Sequence, residues 1–546
     1  MPIGVNNRSE RVQSLEENAY DMLIVGGGIT GAATARDAAM RGFRVACVER
    51  ADFGSGTSSR SSKLIHGGLR YLEQMKFRLV FEGTHERALL REVAPHLVRP
   101  IPFLFPVYEE NRRSPRTVSF GLWLYDTLAG KRRYGRHKRL SVGDVHAAEP
   151  SLRTDRLRGG AIYFDCMTDD ARMCLENVLS AAEQGAIMMN YVSFVRAIFN
   201  NEDKVCGAVV RDETTGNEQT IRCRVIIQCA GPWTDEVRQR SEKPDSNMIR
   251  TIKGIHLVFP HENLPVKHAV VMMSVNDRRV VFAIPRGRIT IVGTTDTDYE
   301  GDPTHVRAQS EDVDYLMTTL RYFFPDTFPS SDHIQATYAG LRPLVRDDAS
   351  SPYDVSREHT VLVNERGIVT IAGGKYTTYR LMADDGVEAA MGLLNIARKD
   401  KPECPTAQAK LPGADGDGFD PNRLHAQLIE MGCPDDVATH RVAVYGVRAP
   451  LIGDSCERIM PSLPFTWEEL VFGVYYEGVF TSEDFLIRRT NIFYEVADQG
   501  LECVDSVADR LSTWYGWNEA TRKVHVDRYR AVVEQSRQWR HSGNVM

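Results

Sequence analysis

Apolar positions along this chain fall into two rhythms, short continuous runs and longer helical periods, and the changes between them mark its parts. Met22 to Val25 reads as a buried strand, a helix-compatible segment follows to about Arg41, and a second apolar run, Val45 to Val48, closes on Glu49. Two later runs have the same buried-strand character. Val225 to Cys229 ends in A-G-P-W, and Ile368 to Ala372 ends in G-G-K ahead of a helical pattern from Thr378 to about Ile396. Between them lie β-rich stretches such as Arg279 to Pro285 and Arg288 to Gly293. The pattern predicts an α/β nucleotide domain assembled discontinuously from 20–90, 150–250 and 340–400, with a β-rich substrate cap from 91–149 and 251–339. Pro and Gly crowd 401–418, a linker signal, and 419–546 is rich in helical periodicity and charge. Residues 1–19 are polar and are expected to form a flexible extension.

The first strand ends in Gly26, Gly28 and Gly31, spaced G-x-G-x-x-G. Strand, glycine turn, helix, strand and a terminal acid make up a dinucleotide-binding βαβ unit. Gly26 permits the tight turn, Gly28 lets backbone approach a pyrophosphate, and Gly31 lets the helix pack on the strand. The helix N-terminus offers N–H groups and partial positive charge to the phosphates. Glu49 accepts hydrogen bonds from the adenosine ribose and disfavours a 2′-phosphate.

Composition narrows the class. The chain has 546 residues, 42% hydrophobic and 26% charged, with a net charge of −6. Its length calls for two or three domains, and its charge argues against a general nucleic-acid binder. No apolar run approaches the roughly 18 to 20 residues that span a bilayer, and no signal core opens the chain. The ten cysteines are scattered without C-x-x-C or metal-ligand spacing, so they read as reduced thiols of a cytoplasmic protein, and nothing points to a metal.

From Thr57 the chain reads T-S-S-R-S-S-K-L-I-H-G-G-L-R-Y-L-E, which closely resembles the FAD-dependent, aerobic-type sn-glycerol-3-phosphate dehydrogenases. The resemblance continues through D-C-M-T-D-D-A-R (165–172), A-G-P-W (230–233), I-K-G-I-H (252–256), V-G-T-T-D-T-D-Y-E-G-D-P (292–303), G-L-R-P-L (340–344), G-G-K-Y-T-T-Y-R (373–380) and D-F-L-I-R-R-T (484–490). It implies a glutathione-reductase-type FAD-binding Rossmann domain with an inserted β-rich cap and a helical C-terminal domain. It also implies non-covalent FAD, glycerol 3-phosphate as substrate and membrane quinone as acceptor. A homodimer stays open, as do an oxidase that returns electrons to oxygen, a flavoenzyme for another 2-hydroxy acid or an amino acid, and a non-catalytic membrane-bound flavoprotein.

A dianionic phosphate calls for guanidinium or ammonium groups. Arg70, Arg342 and Lys375 each lie close to glycine in a motif and match substrate positions of the family, with Tyr71 as an added hydroxyl. Lys375 also suits negative charge on the reduced flavin. For the C2 hydroxyl proton, histidine is the default base, and His256 is favoured over His66, which is expected beside the flavin. Ser58, Ser59 and Ser62 are read as a cofactor cradle, with backbone N–H groups at Gly231 and Gly374.

Nine Lys and Arg residues between Arg112 and Arg139 bracket the aromatic segment S-F-G-L-W-L-Y-D-T-L-A-G. This reads as a short amphipathic helix on an anionic membrane surface, at the inner face of the cell membrane. A core helix with basic loops, or a basic face that steers substrate, is the alternative.

Overall fold

In this computed structural model the described residues are 3–540 apart from 112, 243, 245, 347–354 and 417. Parts of the expected extension, basic stretch, nucleotide domain, linker and C-terminal domain therefore lie outside the described residues. Two sheets organise the chain. The first runs in the order His359–Val363, Ile368–Gly373, Glu218–Gln228, Ala19–Val25, Val45–Glu49, Ile187–Asn190. Its inner pairs are parallel, with Ile24 opposite both Ile227 and Cys47. Both faces are covered, which is why its strands read as unbroken apolar runs. Helices Ile29–Met40, Asp170–Glu183 and Tyr379–Leu393 pack one face around Ala32, Ala35, Val178 and Val387. The antiparallel pair Val192–Phe199 and Val205–Asp212 packs the other.

The second sheet runs Thr297–Asp298, Ile249–Pro260, Ile289–Gly293, Val280–Arg286, Ala269–Met273, Arg99–Tyr108, Leu157–Met167, Leu64–Ile65. Ala336–Val345 joins Ile249–Pro260 antiparallel, with Tyr338 opposite His256 and Gly340 opposite Gly254. Helix Ser310–Phe323 covers one face of this sheet. Leu64–Ile65, Leu157–Met167 and most of Ala336–Val345 come from ranges expected in the nucleotide domain, and they belong here instead. An apolar run shows that a strand is buried but not which edge it pairs with.

The N-terminal segment and the linker also depart from the expectation. Residues 8–17 form the helix Arg8–Glu17, and Leu15 is fully buried in the core under the first sheet. Ile3 N donates to Tyr476 O at 3.2 Å, Arg11 Nη2 to Ile3 O at 2.7 Å and Arg8 Nη2 to Asp212 Oδ1 at 2.9 Å. The extension is thus a strap between the first sheet and the C-terminal helices. The linker is also fastened down: Leu411 N donates to Val93 O at 2.8 Å, and Gly413 N to Glu176 Oε2 at 2.7 Å.

The C-terminal part consists mainly of helices, among them Pro421–Glu430, Asp435–Tyr445, Trp467–Tyr476, Val504–Tyr515 and Glu519–Arg537. One turn of π-helix, Asp484–Arg489, carries two arginines to Asp52 in the loop after Glu49. Arg488 Nε lies 2.6 Å and Arg489 Nη1 2.9 Å from Asp52 Oδ2, all three side chains being buried.

Leu15→Ala should lower unfolding stability by about 2–5 kcal/mol, the usual cost of emptying a buried leucine site. Glu16→Ala, on the exposed side of the same helix, should be near neutral; chemical unfolding followed by tryptophan fluorescence measures both. Equal and negligible effects would restore the loose extension.

Candidate active site

The first turn is built as its spacing demands. Gly26 sits at φ +106° with its N–H on Val48 O at 2.9 Å, and a Cβ on Gly31 would lie 1.8 Å from Gly26 O. The Glu49 carboxylate accepts from Gly27 N at 2.7 Å and Ala51 N at 3.0 Å. Burial pushes its pKa up, against the pull of those two N–H bonds. Gly28 caps helix Ile29–Met40 without a side chain of its own, and Ser58 Oγ accepts from Ile29 N at 2.9 Å instead. Ser59 is buried beside it, its carbonyl accepting from Lys63 Nζ at 3.3 Å.

A cavity of about 1840 Å³ opens from this turn. Single-ligand pockets hold roughly 300–1,000 Å³, so there is room for an extended nucleotide and a second, smaller molecule. Its wall passes Glu49, Ser58, Ser59, Gly231 and Gly374 on the way to the second sheet. Gly231 and Gly374 adopt φ +53° and +81°. The Trp233 indole N–H, also on the wall, is buried and lacks a protein partner, while the Arg50 guanidinium covers the Trp233 ring at 4.3 Å. Glycine turn, acid, hydroxyls and orphaned donor fit a dinucleotide cofactor.

At the far end, cations gather. Asp296 Oδ1 is 2.7 Å from Arg342 Nη1, and Oδ2 is 3.5 Å from Arg357 Nη2 and 4.0 Å from Arg70 Nη1. Arg342 crosses the strand opposite at Gly254, where a Cβ would come within 2.5 Å of its guanidinium. Burial works to raise the Asp296 pKa, and Arg342, Arg357 and Arg70 outweigh it and hold the carboxyl below its usual range. Lys375 Nζ lies 4.2 Å over the Tyr71 ring, and Tyr71 itself is buried. Burial, with Arg357 adding to it, pushes the Lys375 ammonium down to about 8.

Arg357 was not among the residues expected from sequence. It follows 347–354 in a stretch without glycine or any motif, so no local signal marks it. Asp296 stands inside V-G-T-T-D, but its role as common counter-ion depends on strand pairing.

His256 is 2% exposed and lies flat against Tyr338, with ring centres 4.7 Å apart and planes 12° apart. Its Nε2 is 2.8 Å from Ser62 Oγ, and its Nδ1 is buried without a protein partner. Ser62, expected only in the cofactor cradle, thus pairs with the candidate base across the cavity wall. Burial first, then Arg342 and Lys63, hold the His256 pKa well below the ordinary imidazole value. His66 Nδ1 accepts from Gly68 N at 3.1 Å, and burial pushes its pKa down to about 4 despite Asp165. Both rings are neutral at physiological pH.

The FAD dependent oxidoreductase family model matches residues 21–380, and that for the C-terminal domain of alpha-glycerophosphate oxidase matches 404–522. The chain is 36% identical over 552 residues to an aerobic glycerol-3-phosphate dehydrogenase of Staphylococcus haemolyticus, covering 98% of each. It is 34% identical over 559 residues to that of Staphylococcus aureus strain USA300, covering 100% of this chain and 99% of the relative. Among solved structures it is similar to the glycerol-3-phosphate dehydrogenase from Bacillus halodurans complexed with FAD, with TM-score 0.82, 29% identity and 98% of both chains covered. The FAD-bound L-alpha-glycerophosphate oxidase from Mycoplasma pneumoniae, at TM-score 0.55 and 18% identity over 72% of this chain and 99% of that one, shares the fold. The whole-length likeness and the dinucleotide cradle lead to one conclusion: the chain belongs to the FAD-dependent oxidoreductases, in the family of the aerobic glycerol-3-phosphate dehydrogenases, and its cofactor is FAD.

Proposed function

We propose that this protein oxidises sn-glycerol 3-phosphate to dihydroxyacetone phosphate and passes the electrons to membrane quinone. One observation carries the substrate assignment. Arg70, Arg342 and Arg357 converge on the single carboxylate of Asp296, with Lys375 on the same cavity wall as His256. Three guanidinium groups and an ammonium on one cavity wall suit a dianionic phosphate, and guanidinium forks fix its orientation. FAD, when bound, supplies the two-electron acceptor for the hydrogen on C2. Glu49 would hold its ribose, the Gly26–Gly28–Gly31 turn with Ser58 and Ser59 its pyrophosphate, and Gly231, Gly374 and His66 the remainder.

His256 is the proposed base. Its Nε2 shares a hydrogen bond with the Ser62 hydroxyl on the cavity wall, and the stacked Tyr338 ring keeps the imidazole from turning. A neutral ring at neutral pH is ready to accept. Tyr71 supports Lys375 from below, so removing its ring should misplace the ammonium.

The acceptor reading draws on the surface. Helix Pro115–Ala129 leaves Phe120 and Trp123 exposed at 64% and 52%, stacked at 5.6 Å, while its Thr117, Val118 and Gly121 line the cavity. The helix Phe77–Val93 packs beside it, and Phe77 and Phe81 are exposed at its start, after exposed Met75. Arg113, Arg116, Arg132, Arg133 and Arg136 flank this surface in sequence. Apolar rings framed by cations at a cavity mouth suit an anionic bilayer from which a quinone arrives. Among the described residues no helix is long and apolar enough to cross a membrane.

Three outcomes are expected. Glycerol 3-phosphate should bleach the bound flavin anaerobically, and Arg342→Ala should slow this by roughly 30- to several-thousand-fold, the about 2–5 kcal/mol typical of a lost buried cation. Residual bleaching by glycerol should barely change; equal loss on both would reduce Arg342 to a structural role.

The second outcome concerns pH. A lysine of pKa about 8 is charged below that pH and loses its charge above it, so kcat/KM should fall as pH rises past this point. Lys375→Arg should move the alkaline limb upward by more than about one unit, and an unmoved limb would assign it to another group.

Third, Arg132, Arg133, Arg136 and Lys138 changed together to Glu should release the protein from anionic vesicles and lower quinone turnover, with flavin bleaching intact. Wild-type protein that ignores such vesicles at low salt would favour the substrate-steering or core-helix reading of the basic stretch, and a reduced flavin that air re-oxidises faster than quinone would favour the oxidase.

A further inference from the structure

Two of the ten cysteines meet sulfur to sulfur, in the C-terminal helices and away from the cavity. Cys433 sits in the turn after helix Pro421–Glu430, its N–H on Leu428 O at 3.0 Å. Cys456 lies on the loop between the tight turn Gly446–Ile452 and the bridge that pairs Arg458 with Thr466. Their Sγ atoms are 3.0 Å apart. Among the described residues no other two thiols approach within hydrogen-bonding distance. Cys206 is exposed, and its Sγ contacts only the carbonyl of Ile198, at 3.6 Å.

The surroundings hold the pair in register. Arg441, wholly buried, donates to Gly453 O at 2.7 Å, Ser455 O at 2.9 Å and Thr466 Oγ1 at 3.0 Å, and its Nη1 lies 3.6 Å from Cys433 Sγ. One guanidinium thus pins the loop that carries Cys456 against the helix Asp435–Tyr445 next to Cys433. Cys433 is buried, whereas Cys456 is half-buried between exposed Ser455 and Glu457, so a small oxidant meets Cys456 first. Bonded sulfurs lie about 2.05 Å apart, and a shift of about 1 Å in an exposed loop closes the gap.

We propose that Cys433 and Cys456 are an oxidative modification site, a dithiol that hydrogen peroxide converts to a reversible disulfide. The Cys456 thiolate attacks one peroxide oxygen and the O–O bond breaks, leaving a sulfenic acid and one water. Cys433 sulfur then attacks Cys456 Sγ, the S–O bond breaks and a second water leaves as the S–S bond forms. The two thiols lose two electrons and two protons, and the peroxide takes both. Arg441 faces the negative charge that develops on Cys433 as it attacks. A dithiol reductant reverses the reaction by exchange. Burial and the contact with Cys433 push the Cys456 thiol up to about 11, so oxidation is slow near neutrality and quickens as pH rises.

The test uses the FAD-loaded full chain, treated with hydrogen peroxide at mildly alkaline pH, alkylated, digested without reductant and mapped by mass spectrometry. The expected product is a single-chain cross-linked peptide joining Cys433 to Cys456, lighter by two hydrogens and split by dithiothreitol. Cys206 should be alkylated or singly oxidised. Cys433→Ser should abolish the cross-link and drive Cys456 to sulfinic acid, and Cys456→Ser should abolish it and leave Cys433 alkylatable after unfolding. Unequal folding of the two variants would not blur the result, because the wild-type map stands alone. Recovery of both wild-type sulfurs as alkylated thiols, Cys456 as sulfinic acid beside an intact Cys433 thiol, or a cross-link between two chains would overturn the proposal.

Discussion

Four cations gathered at one cavity wall set the terms for the rest of the molecule. Like charges taken from water repel and lose hydration, and here Asp296 and the backbone carbonyls of Thr295 and Leu79 hold them. Arg342 needs its strand registered against Ile249–Pro260 so that it can pass over Gly254. Lys375 follows the last parallel strand of the first sheet, and Arg357 precedes its antiparallel edge. The site exists only where the two sheets meet, so neither alone carries the chemistry. The cost of the crowding falls on the free protein, and under the proposed function an incoming dianion would relieve it.

What was legible in the sequence follows the range of the causes. The positions of Gly26, Gly31 and Glu49 are fixed by neighbours within one βαβ unit, and spacing sufficed to place them on its turn and second strand. Arg70, Arg342 and Lys375 were found through motifs, but that they share a cavity wall with Arg357 follows from pairings tens to hundreds of residues apart. Ser62 shows the limit on a smaller scale. Its loop suggested a cofactor cradle, yet its hydroxyl lies on His256, 194 positions away. Helix Arg8–Glu17 escaped notice because it buries only Arg11 and Leu15, too few apolar positions to produce a periodic signal. The strands Leu157–Met167 and Ala336–Val345 lie largely in ranges assigned to the nucleotide domain, because the choice between two sheets is not a property of a strand's own residues.

Neutral rings and a low-lying carboxyl have different causes in this cavity. Burial removes water from His66 and His256 and leaves both imidazoles uncharged, while the guanidinia keep Asp296 ionised. Protonation is thereby divided by environment, since the same burial that silences a histidine's charge makes a paired carboxylate dependent on its arginines.

The loop after Glu49 has a consequence for how the protein is made. Asp52 lies three positions beyond Glu49, fully buried, and its counter-ions are Arg488 and Arg489. A buried carboxylate stripped of such partners loses about 3–5 kcal/mol. Domains generally fold in the order in which the ribosome releases them, yet here the loop after the first βαβ unit gains the charge partners of the folded chain only once residue 489 has emerged. The opening fifty residues of the chain therefore wait for its final sixth, and a nascent chain cut short before that point carries a nucleotide-binding loop with an unpaired charge at its root.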